Sequence, residues 1–197
     1  VILNIPTSLS EVSVDQWMAL QATDDPIKHV SILCNVPEDV VRNIEAKSMD
    51  RVSVVLSDLD APAKSKWPLV PKLTIGDALY AVLPNISELS VGEFADLETA
   101  CQDVATDPRR FLSILYRRVV EDHKTLYRIA EYTGFEPVEP MGQVPVSAFY
   151  GLLDFFLTIG TTFTKASLQS LKEEQEASSL KSGAGMQSSI ISPMARR

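Results

Sequence analysis

The chain writes one helix start twice, and that doubled phrase constrains its fold more than any other feature. The first copy reads Ile5-Pro6-Thr7-Ser8-Leu9-Ser10-Glu11-Val12-Ser13-Val14-Asp15-Gln16-Trp17. The second reads Leu83-Pro84-Asn85-Ile86-Ser87-Glu88-Leu89-Ser90-Val91-Gly92-Glu93-Phe94. Ser13 and Ser90 take the N-cap position. Gln16 and Glu93 follow three residues on, where a capping box needs a side chain that accepts from the N–H of the cap. The apolar residue before each cap (Val12, Leu89) and the aromatic after it (Trp17, Phe94) are spaced as a hydrophobic staple. Each copy is entered from an apolar segment ending in Pro, so two similar strand-to-helix units are expected. Neither copy holds a catalytic pattern.

Other starts surround these two. Asp24-Asp25-Pro26 opens a helix with Pro where its missing N–H costs nothing, and Ile27, Val30, Ile32 and Leu33 face the core. Pro37-Glu38-Asp39 begins a third, striped by Val40, Val41 and Ile44, and Val52, Val55, Leu56 and Leu59 give a fourth over Met49–Leu59. Pro62, Pro68 and Pro71 make a loop of residues 60–71. Two alternating runs flank Gly76-Asp77, a pair suited to a tight primed turn, and predict a hairpin over about Leu73–Leu83. The second capped helix runs to about Ala105, and Thr106-Asp107-Pro108 starts another whose apolar face is Phe111, Leu112, Leu115 and Tyr116. Val119–Gly134 fits a helix or a half-exposed strand, with extended structure favoured around Tyr127-Arg128-Ile129. A Pro-rich connector over 136–144 leads to a helix from Pro145 to about Ala177. Val1–Ile5 reads as an edge strand.

The expected fold class is therefore α+β, mainly α-helical. Residues 1–177 would form a single helical α+β domain, with sub-units about 1–60 and 72–177, one small central β-hairpin and a long C-terminal helix. Residues 178–197 would be an extended tail. Fixing each tail residue costs roughly 1–2 kcal/mol of backbone entropy. Its anchors are few: Leu180, Met186, Ile190, Ile191 and Met194, each contributing on the order of 1.5–3 kcal/mol when buried. The tail is expected to be an intersubunit arm, ordered by a partner's grooves, with Arg196 and Arg197 meeting an acidic surface.

A net charge of −8 argues against nucleic acid as a partner, because neutralising phosphates needs a basic face. Cys34 and Cys101 lie in apolar or helical surroundings and read as free thiols in a reducing compartment. The opening residues lack the basic region, apolar core and cleavage site of a secretory leader. Val144–Phe163 is long enough to span a bilayer, but Asp154 near its middle would cost on the order of 3 kcal/mol. A buried helix is expected there, with no membrane. Asp154 would then pair with an arginine from Arg109 to Arg118. His29 and His123 lack partners at metal-ligand spacing, Asp58-Leu59-Asp60 sits at a helix end, and no Gly-rich phosphate loop occurs. No enzyme, cofactor, metal or small-molecule substrate is therefore expected. Tyr116-Arg117-Arg118, Tyr127 and Tyr132 are different in kind, since tyrosine and arginine are what interface hot spots favour.

These blocks follow an order that resembles proteins from the tail and virion gene clusters of tailed bacteriophages, of the kind often called tail assembly chaperones. The similarity runs through Ile5-Pro6-Thr7-Ser8-Leu9-Ser10-Glu11, then Pro84-Asn85 and Glu88-Leu89-Ser90-Val91-Gly92-Glu93-Phe94 after the hairpin. It continues through Leu115-Tyr116-Arg117, then Tyr127, Ile129 and Tyr132, and closes on Gly151 and Phe155-Phe156. It spans about residues 3 to 175. Where such proteins tend to carry Pro after the Tyr-Arg pair, this chain has Arg118. The resemblance implies a non-enzymatic structural component of the tail, neck or baseplate, located in the virion, whose partners are other phage structural proteins and copies of itself. Two alternatives stand beside it. One is a transient tail assembly chaperone of the host cytoplasm, absent from the mature virion, and the other is a cytoplasmic adaptor.

Overall fold

A computed structural model describes residues 3–44, 49–60, 67–85, 88–123 and 126–159. The chain divides into two compact units, Val1–Asp154 and Phe155–Arg197, and the elements below lie in the first except for the last turn of the final helix. In order they are α1 (Val14–Gln21), α2 (Pro26–Cys34), α3 (Glu38–Val41), α4 (Met49–Asp60), β1 (Lys72–Ile75) and β2 (Ala78–Val82). Then come α5 (Val91–Asp103), α6 (Arg109–Leu115), β3 (Tyr116–His123), β4 (Leu126–Ile129) and a 3-10 turn (Glu139–Gln143). A final helix, α7, covers 146–159.

Both capping boxes are present. Gln16 N–H donates to Ser13 Oγ at 3.2 Å and Ser13 N–H to Gln16 Oε1 at 3.0 Å. Glu93 N–H donates to Ser90 Oγ at 3.2 Å and Ser90 N–H to Glu93 Oε2 at 2.7 Å. Each box satisfies two N–H groups, and its cap is worth about 1 kcal/mol. In each, the third-position side chain also works elsewhere: Gln16 Nε2 donates to the Ile32 and Leu33 carbonyls at the end of α2, while Glu93 reaches Arg117 on β3. The α2 helix starts from Asp25, whose carboxylate accepts from Ile27 N–H at 2.9 Å. It stops at Asn35, whose left-handed backbone (φ 51°) suits a helix C-terminus.

A hydrophobic core lies in the helical N-terminal part. Leu9, Val12, Trp17, Leu20, Val30, Leu33, Val41, Val52 and Val55 meet there with Val146 of α7. Trp17 lies 6.0 Å from the Phe149 ring, centroid to centroid. Gly151 explains the closeness of α7 to the segment before β1, because a Cβ at that position would overlap the Pro68 carbonyl. A second buried set, including Val82, Leu97, Phe111, Leu112, Ile114, Leu115 and Met141, comes from β2, α5, α6 and the 3-10 turn.

The sheet corrects the expectation of a mainly helical chain with one hairpin. It has four antiparallel strands in the order β1-β2-β3-β4. The expected hairpin is its first half, closed at Gly76 (φ +57°). The second half comes from residues read as the apolar end of a helix and as ambiguous. Leu115 ends α6, and Tyr116 turns to extended backbone (φ −96°, ψ 108°). From there β3 pairs with β2 through Tyr116, Arg117 and Arg118, and with β4 from Val119 to His123. Aromatic and β-branched residues at 116, 119 and 120 favour that extended course. The β3–β4 register shifts between Val119 and Glu121, and such a bulge strengthens local twist. The sheet coils enough for Lys72 of β1 to pair with Asp122 of β3 and lie 5.0 Å from the Tyr127 ring centroid.

Three further expectations change. Residues 3–5 form no strand; Leu3 and Ile5 pack half-buried on the helical core. The first capped helix is instead flanked by a short bridge between Ser13 and Pro145. Asp154 is exposed rather than buried against an arginine, because α7 turns Gly151 and Leu152 inward and that carboxylate outward. The expected continuation of α7 over 160–177 and the arm over 178–197 lie outside the described residues.

Candidate interaction site

Four charged groups and a tyrosine converge where α5, α6 and β3 meet the chain after β4. Glu93 and Asp96 stand one helical turn apart on α5, so both reach the same side. Arg117 Nη2 lies 3.0 Å from Glu93 Oε1, and the two side chains are only 6% and 9% exposed. Glu93 thus spends one oxygen on the cap of α5 and the other on a strand cation. The Arg117 guanidinium also sits 5.8 Å from the Tyr132 ring centroid, within cation–π range.

Tyr132 closes the group. Its hydroxyl donates to Asp96 Oδ2 and accepts from Arg110 Nη2 at 3.3 Å. Arg110 also donates to the Gly134 carbonyl at 3.0 Å. Burial first, and then the bond to the Asp96 carboxylate, pushes the Tyr132 hydroxyl well above its ordinary pKa. Burial does the same to Tyr116, whose hydroxyl donates to the Val70 carbonyl at 2.5 Å. These phenols are therefore held as neutral donors that pin loops.

Beside this network lies a cavity of about 330 Å³ lined by Tyr80, Tyr116, Arg117, Arg118, Phe135 and Glu136, among others. Two polar atoms near it, Arg117 Nε and Glu136 Oε2, are buried without a hydrogen-bond partner among the described residues.

The expected interface residues are sorted by this geometry. Of the interface candidates, Tyr116 and Arg117 are 1% and 6% exposed and lie buried within the chain. Arg118 is exposed, and Tyr127 and Tyr132 are half-buried, with the Tyr127 hydroxyl donating to the Val82 carbonyl at 2.8 Å. Ile190, Ile191, Met194, Arg196 and Arg197 lie outside the described residues. Sequence reasoning missed the apolar surface: Val91 is 89% exposed, Phe94 58%, Leu126 73% and Phe135 90%. It also missed Asp96, although its spacing from Glu93 was available. His29 Nε2 contacts the Thr23 carbonyl at 2.6 Å, a helix-start bond. Burial raises the pKa of both Cys34 and Cys101, which are free thiols.

Among the described residues no group of three His, Cys, Asp or Glu could hold a metal, and no helix is long and apolar enough to cross a membrane. Comparison with family models, curated proteins and solved structures finds no match to this chain.

Proposed function

We propose that this protein is a non-enzymatic structural component of a tailed-bacteriophage particle, acting through contacts with other structural proteins and with copies of itself. The observation that carries the reading is the order of sequence blocks from Ile5 to Phe156. Their placement gives it physical sense. Leu115-Tyr116-Arg117 is the buried hinge from α6 into the sheet, and Glu93 of the second capped start is the partner of that Arg117. Gly151 is the close contact of α7 with the Pro68 backbone. The blocks thus support a scaffold, and the apolar side chains at Val91, Phe94 and Phe135 are presented on its outside. Val91 and Phe94 stand one turn apart on α5 and so neighbour each other on its surface, and exposed apolar patches are what binding to other proteins uses.

Disrupting the gene in the phage tests the reading. Lysates should accumulate incomplete particles, visible by electron microscopy, and added purified protein should complete them. Normal yields of complete, infectious particles without the protein would overturn it.

A further inference from the structure

Arg117 and Glu136 both line the cavity beside the Tyr132 network. Each brings to it one buried polar atom without a hydrogen-bond partner among the described residues, Arg117 Nε and Glu136 Oε2. Their other atoms hold both side chains in place. Arg117 Nη2 lies 3.0 Å from Glu93 Oε1, and the residue is only 6% exposed. Glu136 Oε1 accepts from the Thr133 N–H at 2.6 Å and from the Thr133 hydroxyl at 3.2 Å. What remains is a fixed donor and a fixed acceptor, because a guanidinium N–H only donates and a carboxylate oxygen only accepts. Buried polar atoms are costly to leave unmatched, so a ligand that matches both gains specificity from them.

The rest of the lining describes the body that would carry the matching group. Tyr80, Tyr116 and Met141 are buried walls, and the Tyr116 hydroxyl is already bonded to the Val70 carbonyl, which leaves its ring to face a ligand. Phe135 also lines the cavity but is 90% exposed, which puts its ring at the mouth. Aromatic walls favour a flat aromatic body. Charge selects further. Arg117 and Arg118 are balanced by Glu131 and Glu136, so the lining has no net sign. A carboxylate would satisfy Arg117 Nε but set a second anion against Glu136. An ammonium would satisfy Glu136 and leave Arg117 without an acceptor. A primary amide answers both, with its carbonyl and its NH2. At about 330 Å³ the cavity stands at the small end of ligand pockets, which run to about 300–1,000 Å³.

We propose that this cavity binds a small, uncharged aromatic carboxamide. Its carbonyl accepts from Arg117 Nε, its amide N–H donates to Glu136 Oε2, and its ring lies among Tyr80, Tyr116 and Phe135. The proposal rests on the cavity alone and does not depend on the phage reading.

An NMR titration of the isotopically labelled full chain tests it, following the Arg117 Nε–H signal with benzamide, benzoate and benzylamine as matched probes. Benzamide should shift that signal with a Kd of about 1 mM, as suits so small a ligand. Benzoate and benzylamine should bind at least about tenfold more weakly, each leaving one buried group unmatched. N-acetylglutamine methylamide offers the same amide as a protein side chain would, without the ring, and should also be at least about tenfold weaker. Glu136→Gln keeps an oxygen for Thr133 and puts an NH2 in place of Oε2, so the acceptor becomes a donor. In that variant benzamide should weaken and benzoate tighten, each by about tenfold. Phe135→Ala removes an exposed ring, so it should leave Tm unchanged and weaken benzamide at least about threefold. No shift of the Arg117 signal up to about 20 mM benzamide would overturn the proposal. Equal binding of the three probes would overturn the amide assignment, and equal binding of the glutamine derivative would overturn the aromatic one. Benzamide affinity unchanged in both variants would place the probe elsewhere and sink the site.

Discussion

Replacing Glu93 with Gln isolates the buried ion pair from the cap it shares. Gln16 shows that an amide at this position accepts from its N-cap N–H at 3.0 Å, so the start of α5 should survive. What disappears is the charge facing Arg117, whose side chain is 6% exposed. Removing one partner of a buried pair costs about 3–5 kcal/mol, because the other charge stays buried without compensation. The amide oxygen can still accept one bond, which puts the expected loss near the lower end, about 3 kcal/mol. For a chain of this size that corresponds to a fall in Tm of roughly 6–12 °C. Urea unfolding should show a lower midpoint at unchanged slope. A Glu93→Gln, Arg117→Met double variant should recover part of the loss, since no unpaired charge then remains. A loss below about 1 kcal/mol for Glu93→Gln alone would refute the reasoning, because that is the range of a solvated surface pair.

Three more outcomes can be checked on the same preparation. Ser13→Ala and Ser90→Ala should each cost about 1 kcal/mol by thermal or urea unfolding, and no loss at either site would mean that hydroxyl does not hold its helix. Gly151→Ala should destabilise by about 1–3 kcal/mol through its overlap with the Pro68 carbonyl, and an unchanged midpoint would show that α7 and that backbone are not in contact. The Arg109 guanidinium, bonded to Asp107 at 2.7 and 2.9 Å, holds that carboxylate below its ordinary pKa. A depressed carboxylate stabilises the fold above its unfolded pKa and loses that contribution as pH falls through its folded pKa. The stability difference between wild type and Asp107→Asn should therefore be present at neutral pH and shrink below about pH 4, and a difference that persists or grows on acidification would count against the pair.

Local chemistry was legible, and what depends on distant partners was not. Both capping boxes, the Asp25-Pro26 start of α2 and the Gly76 hairpin rest on neighbours in sequence, and all four stand where their residues place them. The helix-to-strand change at Tyr116 was missed because Phe111, Leu112, Leu115 and Tyr116 keep helical spacing to the last residue. Only pairing with Val82 on β2 makes Tyr116 extended. Arg117 reads as a surface cation until Glu93 comes to it from another element. The staple spacing is the same in both copies, yet Trp17 is covered and Phe94 is not, since cover comes from α7 and not from the phrase itself. The exposed apolar set had no local signature at all.

Quantitative mass spectrometry of purified, washed mature phage particles tests the central claim most directly. A structural component should be present in multiple, fixed copies relative to known particle proteins, and should stay with them through successive density gradients. Detection in infected-cell lysate together with absence from the mature particles would contradict the claim and indicate an assembly factor that leaves before maturity.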